Sequence, residues 1–207
     1  MDIIFFINIQ RKKMSSKKEL RKKEIALKAY ESLVIEGVDK FSLNGLLEKI
    51  SMSKGNFYHY FSNKDELFCF TINQKYEEIY TKYLEKNNNT TFDEKLNGIF
   101  FIYLSDKQEI KEYMSIINQM YYMFSNEKNT HLYSYMQATY VHQFSTLEAI
   151  INSEIQKGLL KEDIKVMIKP IFATADGMLT HSFMLKDYDL NKELSKYLEF
   201  IVNTYKI

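Results

Sequence analysis

The sequence predicts an all-α chain, and three observations carry that expectation. One Pro and six Gly in 207 residues leave few breakers, and 45% of the residues are hydrophobic. Apolar side chains recur at helical spacing along most of the chain, as at Leu43, Leu46, Leu47 and Ile50. Ser, Thr, Asp or Asn stands ahead of these runs, several times with Glu or Gln three residues on, the mark of a helix N-terminus.

The opening MDIIFFINI is apolar but far too short to span a bilayer. Its basic residues follow the apolar run, whereas in a signal peptide they precede it. RKKMSSKKELRKKE then begins afresh, so residues 1–14 read as a nonessential extension, with a membrane-surface anchor as the alternative. A first helix is expected from Ser16 to about Glu36, with Ile25, Ala26, Ala29, Leu33 and Val34 on its inner face and Gly37 as its stop. Lys17, Lys18, Arg21, Lys22 and Lys23 crowd its first turns, where they can lie along phosphates in a contact blind to sequence.

Two short helices follow. Ser42 is a natural N-cap for the first of them. Ser51-Met52 makes a tight turn, and Ser53 caps the second, of which Phe57, Tyr60 and Phe61 form the inner face. Asn63 with Glu66 is a capping-box pattern that opens a longer helix, backed by Leu67 and Phe68. Two short helices across a tight turn read as a helix-turn-helix whose second helix can enter a major groove. A hairpin that merely packs is the alternative.

The longer helix should run from Lys64 to about Lys86, followed by the polar loop NNNTT. Thr91 and Glu94 box the start of a fifth helix ending near Leu104. Ser105 with Gln108 caps a sixth, ending near Phe124. After SNEKN a seventh runs from about Thr130 to Lys157, and Gly158 ends it. Asp163 begins the next element, with Pro170 as a kink or a junction between two short helices. Asp189 or Asn191 begins the last helix. There are three expected segments: the extension 1–14, a helix-turn-helix domain over 15–68, and a helical body over 69–207.

Chemistry is sparse. A single Cys, Cys69, rules out an internal disulfide framework and suits a reducing cytoplasm. It sits between Phe68 and Phe70, a position for packing more than for reactivity. No His/Cys spacing resembles a metal site, and there is no phosphate loop or nucleophile elbow. Nor do two helices carry Glu-x-x-His pairs, the di-metal signature of a helical bundle. The reading is therefore no enzyme, no metal and no cofactor. Net charge is only +1, but residues 11–68 hold 13 Lys and Arg against 8 Asp and Glu, and residues 69–207 hold 15 against 18. A basic front and a mildly acidic remainder suit a nucleic-acid-reading end on a body kept off phosphate.

At SKGNFYHYFSNKDELF the chain resembles the second half of the DNA-binding domain of tetracycline-repressor-type (TetR family) transcriptional regulators. Ser53, Lys54, Gly55, Phe57, Tyr58, Tyr60, Phe61, Lys64 and Leu67 carry the resemblance, and upstream Ile25, Ala26, Ala29, Tyr30, Gly37, Phe41 and Ser42 agree. Two positions depart: the turn carries Ser51 where the family has Gly, and Leu47 replaces a small residue. If Ser51 is left-handed, its side chain costs roughly 1–2 kcal/mol.

Within this reading Ser53 caps the recognition helix, and Lys54, Gly55, Asn56, Tyr58 and His59 occupy its exposed turns. Lys54 can reach guanine O6 or N7, and Gly55 lets the backbone approach closely. Tyr60 either contacts phosphate or stays inside. Asn44 resembles a family position that reaches a base or phosphate, and Ser42 and Lys64 stand at helix N-termini that favour phosphate.

The resemblance also implies a body that senses a small apolar or amphipathic molecule. Tyr103, Tyr113, Met114, Ile117, Tyr121, Met136, Tyr140, Phe144, Phe172 and Met178 are the candidate lining, since flexible Met and amphipathic Tyr suit an adaptable pocket. Tyr122, Met123 and Phe124 belong to the same aromatic run. An ordinary helical core is the alternative. Asp176, the one carboxylate in IFATADGMLTH, reads as a satisfied structural acid or as a partner for a cationic ligand.

On the last two helices Phe172, Leu179, Phe183, Leu194, Leu198, Ile201, Val202 and Tyr205 form apolar stripes. These either face the core of their own subunit or, as the family resemblance implies, build a four-helix homodimer interface. The expected whole is a homodimeric, cytoplasmic repressor, bound to double-stranded operator DNA, released by a small effector and not associated with membrane. The alternative is a ligand-independent architectural or division-linked DNA-binding protein with the same head.

Overall fold

In the computed structural model, residues 17–87, 90–124 and 131–207 are described, and the expected extension 1–14 lies outside them. Among these residues the chain is helical: α1 (Lys17–Glu36), α2 (Leu43–Lys49), α3 (Lys54–Tyr58), α4 (Lys64–Leu84), α5 (Phe92–Ile99), α6 (Gln108–Phe124), α7 (His131–Gln156), a 3-10 helix (Glu162–Met167), α8 (Ile168–Met184) and α9 (Leu190–Tyr205). Among the described residues no helix is long and apolar enough to cross a membrane.

Most helix ends follow from local chemistry. The Thr91 hydroxyl accepts the Glu94 N–H at 3.2 Å and the Glu94 carboxylate accepts the Thr91 N–H at 2.9 Å, a complete capping box. Asp189 caps α9 by accepting the Lys192 N–H at 3.0 Å. Gly37 and Gly158 end α1 and α7 with φ of 81° and 73°, the left-handed stop that glycine makes cheaply. Pro170 lies in the first turn of α8, where a missing N–H costs nothing, so it marks a junction after the 3-10 helix and not a kink.

Three expectations need correction. α5 ends at Ile99, five residues before Leu104, and Phe100–Leu104 closes as turns, with the Phe100 carbonyl accepting N–H groups of Tyr103 and Leu104. Ser105 does not cap α6, because its hydroxyl accepts the Lys107 N–H at 3.4 Å, ahead of the first helical residue. Val34 is not on the inner face of α1. It points outward, and Tyr30 and Ser32 are buried instead.

The chain divides into two compact units. One holds the described residues up to Lys82 together with Gln108–Thr139. The other holds Tyr83–Lys107 and Tyr140–Ile207. In the first unit α1 packs on α2 and α6, with Ile25, Ala29, Leu33, Phe57, Phe61, Leu67 and Phe68 among its buried side chains. Cys69 belongs here: burial pushes its thiol up to about 12, with the Asp65 charge adding to the effect, so it stays a packed, neutral thiol.

In the second unit α5, α7, α8 and α9 close around Leu96, Phe100, Leu147, Ile151, Phe172, Leu194 and Leu198. Glu154 of α7 is buried there and accepts from Lys95 at 2.7 Å and Lys157 at 2.8 Å, the ion pairs that compensate its burial.

Candidate nucleic-acid interface

The helix-turn-helix is built from capping and from one strained residue. α2 begins where the Ser42 hydroxyl accepts the Gly45 N–H at 3.3 Å. It ends in a turn where Ser51 has a φ of 51°, so the left-handed position is occupied by serine and costs roughly 1–2 kcal/mol. Two backbone bonds hold that turn, Ser51 N–H to Glu48 at 3.1 Å and Met52 N–H to Leu47 at 2.9 Å, with Leu47 and Met52 buried. Ser53 then caps α3, its hydroxyl accepting the Asn56 N–H at 3.2 Å.

α3 is anchored by rings. Phe57 and Phe61 are buried and stack with centroids 5.6 Å apart, and Phe41 meets Phe68 edge-on at 5.0 Å. With Phe57 turned inward at this spacing, Lys54, Gly55, Asn56, Tyr58 and His59 are left exposed to solvent, as are Ser42, Asn44 and Ser53. Tyr60 is half-buried. A β-carbon built on Gly55 meets nothing within 4 Å, so nothing inside the chain requires glycine there.

The structure uses two of the candidate lysines differently from expectation. Lys22 does not join a solvent-facing basic row; its ammonium lies 4.8 Å from the ring centres of both Phe61 and Phe70 and pairs with Glu66 at 3.2 Å. Lys64 donates to the Phe41 carbonyl at 3.3 Å and sits 5.4 Å and 5.0 Å from the Phe41 and Phe68 rings, which ties the approach to α2 onto α4. Lys17, Lys18 and Lys23 remain exposed.

Asn63 caps α4 through the Glu66 N–H at 2.8 Å, but the Glu66 carboxylate reaches past Asn63 to the Ser62 N–H at 2.7 Å. Burial would raise the Glu66 carboxyl, yet hydrogen bonds from Ser62 and Lys22 outweigh it and hold the carboxyl below its ordinary value. No local pattern marks Lys22 or Lys64 as turning inward. Their spacing from Phe61, Phe70 and Phe41 becomes contact only once α1 and α4 pack.

A sequence model described as "Bacterial regulatory proteins, tetR family" matches residues 26–69, from the middle of α1 into α4. This segment is of the tetR-family type. Solved structures share the fold over nearly the whole chain. A TetR transcription regulator from Haloarcula marismortui is 18% identical with a TM-score of 0.72, covering 90% of this chain and 98% of that one.

A transcriptional regulator from Saccharomonospora viridis in complex with choline is 11% identical with a TM-score of 0.66, again covering 90% and 98%. SmeT, the repressor of the Stenotrophomonas maltophilia multidrug efflux pump SmeDEF, is 17% identical with a TM-score of 0.67 over 90% of each chain. No curated protein matches the chain. The match spans α3, whose outward side chains are exposed.

The remaining candidates fall in both units. Tyr113 and Met114 are buried in the first unit, Ile117 and Met136 are half-buried there, and Tyr121 is 51% exposed and points outward. Tyr103, Tyr140, Phe144, Phe172 and Met178 lie in the second unit, where Tyr103 and Tyr140 each donate a hydrogen bond to Asp176. The side chains of Tyr122, Met123 and Phe124 are not among those described.

Of the stripe on the last two helices, Phe172, Leu194, Leu198, Ile201 and Val202 are buried in the core of their own unit, and Leu179 and Tyr205 are half-buried. Only Phe183 is exposed. Beside it in sequence Met184 and Leu185 are also exposed, and on α9 the exposed large apolar residue is Phe200.

Proposed function

We propose that this chain is a homodimeric, cytoplasmic transcriptional repressor that binds a palindromic operator through α3 and leaves it when a small effector binds the helical body. The observation that carries the reading is the division of α3: Phe57 is buried, while Lys54, Gly55, Asn56, Tyr58 and His59 face outward. That outward set offers a long cation, a bare backbone and three hydrogen-bonding side chains to base edges and phosphates. SmeT is a repressor, and the Saccharomonospora viridis relative holds choline, which supports an effector-released repressor as the mode of action. A ligand releases DNA only by binding more tightly to the form whose paired recognition helices are out of step with half-sites about 34–36 Å apart. Exposed Phe183 and Phe200 supply apolar surface for a partner copy.

The test is selection of a binding site from random duplexes, followed by affinity measurements on single-base variants at two salt concentrations. Lys54→Ala should relax preference at one position of each half-site, costing roughly 1–3 kcal/mol for the preferred base. Selection that enriches no sequence, or a Lys54→Ala variant with unchanged base preference, defeats the operator-reading role given to α3.

A further inference from the structure

In the second unit five aromatic rings and one carboxylate form a closed circuit. Tyr103 meets Phe100 edge-on with centroids 5.8 Å apart, Phe100 meets Phe172 at 5.0 Å, Phe172 meets Phe144 at 5.2 Å, and Phe144 meets Tyr140 at 6.0 Å. The two tyrosines then close on Asp176 of α8, Tyr103 donating to Oδ1 at 2.8 Å and Tyr140 to Oδ2 at 2.7 Å. Phe100 and Phe172 are buried, and Tyr103, Tyr140, Phe144 and Asp176 are half-buried.

From this circuit we infer that the body binds an organic cation, a quaternary ammonium, with its charge on Asp176 and its alkyl groups against the rings of Phe144, Phe172, Tyr103 and Tyr140. The chemistry is specific. Phenol hydrogen bonds fix the direction of the carboxylate without supplying a countercharge, and Asp176 has no Lys, Arg or His partner among the described residues. Aromatic faces carry negative potential and attract a weakly hydrated cation, while they repel an anion. With one phenol already on each oxygen, the carboxylate has fewer open directions for the several N–H donors of a primary ammonium. It remains a good point charge for a cation that donates none. The inference rests on the effector-responsive reading above and names the effector's class.

Calorimetry on the intact chain with benzyltrimethylammonium and with uncharged benzyl alcohol tests the charge preference without any substitution. The expected result is at least about tenfold tighter binding of the cation. Equal binding of the two, or no binding of the cation, overturns the inference. Asp176→Asn, checked for an unchanged thermal midpoint, should lose the cation by about tenfold and leave benzyl alcohol where it was. Phe144→Leu provides the second variant, and should weaken the cation more than the alcohol. Unchanged cation affinity in both folded variants places the molecule elsewhere and also overturns the inference. A parallel operator-release assay separates the two readings. Release by neutral compounds alone leaves the repressor reading standing and removes the cation. Cation binding that never alters DNA affinity keeps the site and removes the effector role.

Discussion

The side-chain oxygen of Gln119 on α6 accepts the backbone N–H of Val38 at 3.0 Å, across 81 residues of sequence. Val38 is buried, follows the left-handed Gly37 and lies four residues before the cap of α2. The bond therefore fixes the entry to the helix-turn-helix from outside it. Gln119→Ala strands a buried N–H and should cost about 1–3 kcal/mol in chemical denaturation. Faster amide exchange at Val38 should accompany weaker operator binding. Unchanged exchange at Val38 would show that another group satisfies this N–H.

Gly55 separates folding from recognition. It is exposed, and an added β-carbon meets no atom within 4 Å. Gly55→Ala should therefore leave stability unchanged or raise it by up to about 1 kcal/mol, because alanine is the better helix former. Under the operator-reading role proposed for α3, operator affinity should nonetheless fall, since the methyl group would stand in the path of the DNA backbone or a base edge. A variant that is both stable and fully active would remove α3 from close contact at this position.

Subunit association should depend on the outward apolar residues of the last two helices and not on the buried part of their stripe. Phe183 is 51% exposed and Phe200 is 63% exposed, whereas Leu198 and Ile201 lie in the core. Replacing Phe183 and Phe200 together by Glu should yield folded monomers in sedimentation at micromolar concentration, with tight operator binding lost. Leu198→Glu should instead lower the thermal midpoint sharply, because it buries a charge without a partner. A wild-type chain that sediments as a monomer would contradict the dimer.

The α5 capping box makes an acid-sensitive contribution. The Glu94 carboxylate accepts from the Thr91 N–H, the Thr90 hydroxyl and the Thr90 N–H, which hold its carboxyl down at about 2 against an ordinary 4.5. A carboxyl depressed on folding stabilises above its unfolded value and loses that contribution as pH falls through the folded one. Glu94→Gln should thus lower the thermal midpoint at neutral pH, and the gap to wild type should close between pH 4.5 and pH 2. A gap independent of pH would assign the effect to geometry and not to charge.

How far the sequence reaches depends on how local the deciding physics is. Ser42, Ser53, Asn63, Thr91 and Asp189 were legible as caps because each accepts a backbone N–H three residues on, a relation that needs no other part of the chain. The outward face of α3 was equally legible, since burying Phe57 settles where its helical neighbours point.

Tertiary packing decided the rest. Lys22 read as a phosphate contact from the basic cluster around it and Lys64 from its place at a helix N-terminus, but long stems let their ammonium groups fold back onto aromatic rings that only the assembled head brings within reach. The α9 stripe was the same string of apolar residues under either reading, own core or partner. Leu194 and Leu198 went to the core because α5, α7 and α8 supply apolar surface around them, which left Phe200 outside. Asp176 acquired its setting in the same way, from two tyrosines 73 and 36 residues away. Spacing within a helix tells which residues share a face, but what meets that face is set by chain packed from elsewhere.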